Sequence, residues 1–130
     1  AENMAARITL LECLQGLAAG DIYPVEAAKK CEKFNIVTSI DYLMQSIADL
    51  TGSCQGTEPL RDAELQPLWQ LLQVRPVNLA LRLHAMYNKL QQTRKLALAS
   101  NNANPQLVME ALFSQWRQFT HPGNRQAVNQ

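Results

Sequence analysis

The sequence predicts an all-α domain, a single bundle of five or six helices closing in a long antiparallel hairpin. Three observations carry that expectation. Apolar residues recur at three- and four-residue intervals through most of the chain. Proline and glycine are sparse, six and five residues, and sit mainly at the joints between those periodic stretches. No stretch keeps the two-residue alternation of a half-buried strand. With 130 residues and 47% hydrophobic composition, the chain can build one real core.

The elements follow in order. MAARITLLECLQGLAAGD puts Ile8, Leu11, Leu14, Leu17 and Ala18 on one helical stripe that ends at Gly20. DIYPVEAAKKCEKF restarts a short helix near Pro24. NIVTSIDYLMQSIADLTG supplies Ile36, Ile40, Leu43, Met44, Ile47 and Leu50, with a stop expected at Gly52. TGSCQGTEPLR is the one shift in composition and reads as a loop. DAELQPLWQLLQV is a fourth helix from Asp62, provided Pro67 lies in its first turn.

Pro76 is expected to open the longest helix, about two dozen residues or ~36 Å. Its core seam is Leu79, Leu83, Met86, Leu90 and Ala97. In SNNANPQLVMEALFSQW, Asn104 can cap a last helix and Pro105 can take its first position, where a missing N–H costs nothing. Residues 1–119 form the helical domain on this reading, and 120–130 a flexible tail.

That last helix is apolar over more than half its circumference. Leu107, Val108, Ala111, Leu112 and Phe119 span one face, and Met109, Phe113 and Trp116 extend it. So wide a face must be covered twice. Either helices from the first half of the chain cover the extension, or it packs against another subunit, which makes Met109, Phe113 and Trp116 candidate interface residues.

Charge is divided unevenly. Residues 1–64 carry five basic against ten acidic side chains, net −5, and residues 65–130 carry seven against one, net +6. Arg75, Arg82 and Lys89 repeat every seven residues beside the seam of the long helix, a row able to meet phosphates or an acidic partner. Few aromatic residues stand beside it to stack bases, and a solvated helix flank has the same spacing.

Several chemistries are excluded. No phosphate-cradling loop of the G-x-x-x-x-G-K-[ST] type occurs. The two histidines, His84 and His121, stand far apart, and no set of three or four convergent metal ligands is visible. GSCQG, with Cys54 at its centre, imitates a nucleophile elbow, but that motif needs a strand before it and a helix after it. No catalytic residue, metal or cofactor is therefore expected. Three scattered cysteines without a C-x-x-C spacing argue for buried thiols in a reducing, cytoplasmic setting. No run has the length of a membrane span, and AENMAARITLL lacks the features of a signal peptide. Position 1 is Ala, so a fragment or a processed chain is expected.

LRLHAMYNKLQQTRKLALASNNANPQLVMEALFSQW resembles the closing helical hairpin of the delta-prime subunit of the bacterial DNA polymerase III clamp loader. The matching positions are Leu83, Tyr87, Leu90, Arg94 and Leu96, the Asn-rich turn, Asn104 to Leu107, Glu110 and Leu112. About 35 residues match well and the helices from Ile8 to Leu50 more loosely. The resemblance implies a C-terminal collar domain, a module that joins other clamp-loader subunits in a ring and meets nucleic acid only through the complex. In that family the nucleotide-binding, zinc-binding and inter-subunit arginine features lie in N-terminal domains, and none is carried over to a residue here. The alternative reading of the residues is a freestanding helical nucleic-acid-binding module using the basic row.

Overall fold

A computed structural model describes residues 2–56, 58–73, 78–99 and 104–121. Among them are six α-helices and no strand: α1 (Glu2–Ala19), α2 (Pro24–Lys30), α3 (Ile36–Cys54), α4 (Gln66–Gln73), α5 (Leu79–Ala99) and α6 (Pro105–Thr120). A 3₁₀ turn, Ala63–Leu65, leads directly into α4.

α1 is the hub, touching α2, α3, α4 and α6. Leu10, Leu11, Cys13, Leu14, Leu17 and Ala18 are all buried. The expected stripe is therefore turned: Ile8 faces solvent, whereas Leu10 and Cys13 point inward. A helix covered on several sides has no single apolar stripe to read. It ends as anticipated at Gly20, whose φ of +82° suits a residue without a Cβ. The Gly20 N–H donates to Leu17 O and the Asp21 N–H to Gly16 O, which satisfies two carbonyls of the last turn. The missing side chain at Gly16 leaves room for Ile22.

Short polar caps start the other helices. Pro24 opens α2, and the Tyr23 N–H donates to Glu26 Oε1. Asn35 Oδ1 accepts from the Thr38 N–H at 3.0 Å to start α3. α3 runs through Gly52 to Cys54, past the expected stop. A glycine inside a helix is only moderately unfavourable, and the left-handed residue of the chain reversal is Gly56, φ +85°. Asp62 Oδ1 accepts from the Glu64 N–H, and Pro67 falls in the first turn of α4.

The described part of α5 begins at Leu79, after Asn78 at φ 59°, and spans 21 residues. Pro76, the expected first residue, lies outside the described residues, as do 100–103 of the hairpin turn and the expected tail beyond His121. Leu83, Met86 and Leu90 are buried, with Leu79 and Ala97 half-buried at the ends of the seam. Asn104 caps α6 as expected, its Oδ1 accepting from the N–H groups of Gln106 and Leu107.

α5 and α6 run antiparallel. Arg82, near the start of α5, donates from Nη1 to the carbonyl of Phe119, near the end of α6, at 3.1 Å. Each helix nevertheless finds its broadest contact elsewhere, α5 against α3 and α6 against α2 and α1. Both helices thus pack on the first half of the chain as well as on each other.

Candidate functional site

The inward face of α6 is Met109, Leu112, Phe113, Trp116 and Thr120, a regular helical stripe. Met109, Phe113 and Trp116 are only 4%, 0% and 1% exposed. The candidate interface residues are therefore core residues, covered by α1 and α2, and they present no outer surface. The helix is rotated from the orientation its apolar count suggests: Leu107, expected on the inner face, is exposed. The indole Nε1 of Trp116 donates to the carbonyl of Leu14 at 2.9 Å, which meets the requirement that a buried N–H find a partner.

Two of the three residues of the basic row are described. Arg75 lies outside the described residues. Arg82 is half-buried and turned onto the last turn of α6, where a cation complements unsatisfied carbonyls. Lys89 is exposed. Of the two described members, Lys89 points outward and Arg82 is turned onto α6.

Arg94, beside the seam, makes a two-pronged contact to Asp41 of α3, Nε to Oδ1 at 2.5 Å and Nη2 to Oδ2 at 3.3 Å. That contact keeps the Arg94 guanidinium protonated more firmly than usual. Both side chains are partly exposed, so the pair registers α5 on α3 more than it stabilises.

A groove of about 720 Å³, unforeseen from sequence, runs between α1, α3 and the segment before α4. Asp49 builds one wall: its two carboxylate oxygens accept the backbone N–H groups of Arg61 and Asp62, each at 2.8 Å. This pins the loop that follows α3. Arg7 of α1 reaches across to Asp62 at 2.9 Å and lies over the Tyr42 ring at 5.5 Å. The Asp62 bond raises the affinity of the Arg7 guanidinium for its proton. Burial pushes the Tyr42 phenol up, although a hydrogen bond with Ser46 pulls the other way. No sequence signal joins Arg7, Asp49 and Asp62, because each belongs to a different element.

Cys54, the one nucleophile candidate in the sequence, is not among the residues that line the groove. Cys54 is half-buried at the end of α3, and burial alone pushes its thiol up, the opposite of an activated thiolate. A helix rather than a strand precedes it, so the strained elbow is lacking. Among the described residues no group of three or more His, Cys, Asp and Glu side chains stands together to hold a metal ion. None of the described helices is long and apolar enough to cross a membrane.

Apolar side chains face outward on α5 and α6. Leu81 and Leu96 are 67% and 69% exposed on the side of α5 turned away from Leu83, Met86 and Leu90. The described α5 contains no acidic residue, and Lys89 and Lys95 stand exposed on it. Leu98 and Leu107 add exposed side chains at the turn end of the hairpin. Exposed apolar side chains that cluster on one side of a helix are the kind of surface that marks protein contacts.

A family model described as DNA polymerase III, delta subunit, C terminal matches residues 1–118. No curated protein and no solved structure matches the chain.

Proposed function

The chain belongs to the family formed by the C-terminal domains of DNA polymerase III delta subunits, and from that premise we propose that it is a non-catalytic collar domain. On this reading it holds its parent subunit in a ring with the neighbouring ones while the complex loads the sliding clamp during DNA replication. The single observation that carries the reading is the extent of the family match, from α1 almost to the end of α6. The delta-prime assignment draws its support from the hairpin sequence between Leu83 and Leu112. The partners are the other clamp-loader subunits, nucleic acid is met only through the complex, and the setting is the bacterial cytoplasm.

The apolar and basic outer side of α5, with Leu81, Lys89 and Leu96, is the surface best suited to a neighbouring subunit, because Met109, Phe113 and Trp116 are occupied internally. Mixing the chain with the other clamp-loader subunits and measuring the mass of the product tests the proposal. A stable hetero-oligomer formed without nucleotide is expected. Failure to enter any oligomer, together with a salt-sensitive micromolar complex with a short DNA duplex that is lost in Arg82→Ala with Lys89→Ala, would support the nucleic-acid-binding module instead.

A further inference from the structure

Cys13 of α1 and Cys31, the residue that ends α2, meet in the core with their sulfur atoms 3.9 Å apart. The Cys13 thiol donates to the carbonyl of Ala27 at 3.7 Å, which leaves its lone pairs to accept the thiol hydrogen of Cys31. Cys31 also lines a cavity of about 200 Å³ whose walls include Phe34, Gln106 and Met109, whereas Cys13 does not. Cys31 is therefore one of the residues lining a cavity, and the Cys13 sulfur stands next to its own.

We propose that Cys13 and Cys31 are a modification site, a reversible disulfide within the chain formed by exchange with a small disulfide compound entering that cavity. The sulfurs must come roughly 2 Å closer to bond. The Cys31 thiol gives its proton to water, and its thiolate attacks one sulfur of the compound. The compound's S–S bond breaks and its other half leaves as a thiolate that takes up a proton. Cys13 then loses its proton and attacks the Cys31 sulfur, forming the Sγ–Sγ bond and releasing the second half as a thiol. Two cysteine thiols are oxidised and one small disulfide is reduced to two thiols. The hydrogen bond to Cys13 and burial both push the Cys31 thiol up, so the first step is slow. The product ties the middle of α1 to the end of α2 and closes a loop spanning 18 residues.

The experiment treats the folded full chain with bis(hydroxyethyl) disulfide, followed by thiol counting in denaturant, mass measurement and peptide mapping. The background is Cys54→Ser, which removes the half-buried third thiol. The expected result is loss of both remaining thiols, a mass lower by two hydrogen atoms, a monomer, and a cross-link between the peptides holding Cys13 and Cys31. A thiol reductant should restore both. Two thiols still present after prolonged exposure, a stable adduct of the compound on Cys31, or a disulfide between two chains would each overturn the proposal. Circular dichroism before and after treatment establishes that the chain was folded when it reacted.

Discussion

Trp116 Nε1 and Leu14 O, 102 residues apart in the chain, share a buried hydrogen bond of 2.9 Å. It fastens the last helix to the middle of the first. The contact joins α1 and α6; α2, α3 and α4 pack on one or both of them, and α5 packs chiefly on α3.

Trp116→Phe should therefore be costly. It removes the only donor of the indole and part of a ring that is 1% exposed. The Leu14 carbonyl keeps its place in the α1 ladder, so the loss is one hydrogen bond plus a partial cavity, about 1–3 kcal/mol. Urea unfolding followed by circular dichroism measures it. An unchanged midpoint would mean that α1 and α6 do not meet as described.

Phe113→Asp separates core from interface. The side chain is 0% exposed, and an unpaired carboxylate in its place should cost several kcal/mol. The expected outcome is a chain with little helicity and no cooperative melt. A variant that kept its melting temperature but no longer joined partner subunits would return Phe113 to the surface.

Much of the architecture is legible in the sequence because its punctuation is local. Gly20, Pro24 and Pro105 act through their own backbone and Asn104 through a side chain that reaches only the next turn, and each marks a boundary where expected. Local rules do not say which way a helix with apolar residues on most sides will face. Periodicity points Leu107 and Ile8 inward, and both lie outside; it makes Phe113 and Trp116 an extension of the apolar face, and they are its centre. Only packing partners decide that rotation. The Cys13–Cys31 contact, the Asp41–Arg94 pair and the groove around Asp49 join residues from separate elements, so periodicity carries no trace of them.

Gly20→Ala should destabilise for two reasons that can be separated. Its φ of +82° is unfavourable for alanine, by about 1–2 kcal/mol. A Cβ there would also fall against the His121 ring, overlapping its Cε1. The ring is the far end of a side chain and can move aside. His121→Ala on the Gly20→Ala background should thus recover only the steric part, leaving the backbone cost in the melting temperature. Full recovery would contradict the left-handed assignment at Gly20.

Asp41→Asn should lower the melting temperature slightly, with the loss shrinking as salt rises, because Asp41 and Arg94 are 43% and 37% exposed at their side chains. Glu110 sits on α6 at a comparable depth in the hairpin, yet the partner of Arg94 is Asp41. Glu110→Gln should accordingly change stability by less than ~1 kcal/mol in the same melts. A larger effect for Glu110→Gln than for Asp41→Asn would mean that α5 and α6 are rotated from the arrangement described.

A collar domain should compete with its own parent subunit for a place in the ring. If this chain carries the assembly surface of its parent subunit, adding it in excess to the separated subunits should exclude the full-length protein from the ring. Native mass measurement of the reassembled complex should then show a dose-dependent replacement of the whole protein by the 130-residue chain, and Leu81→Lys with Leu96→Lys should weaken that replacement without lowering helicity. A complex of unchanged mass at every dose, holding only the full-length protein, would contradict the account.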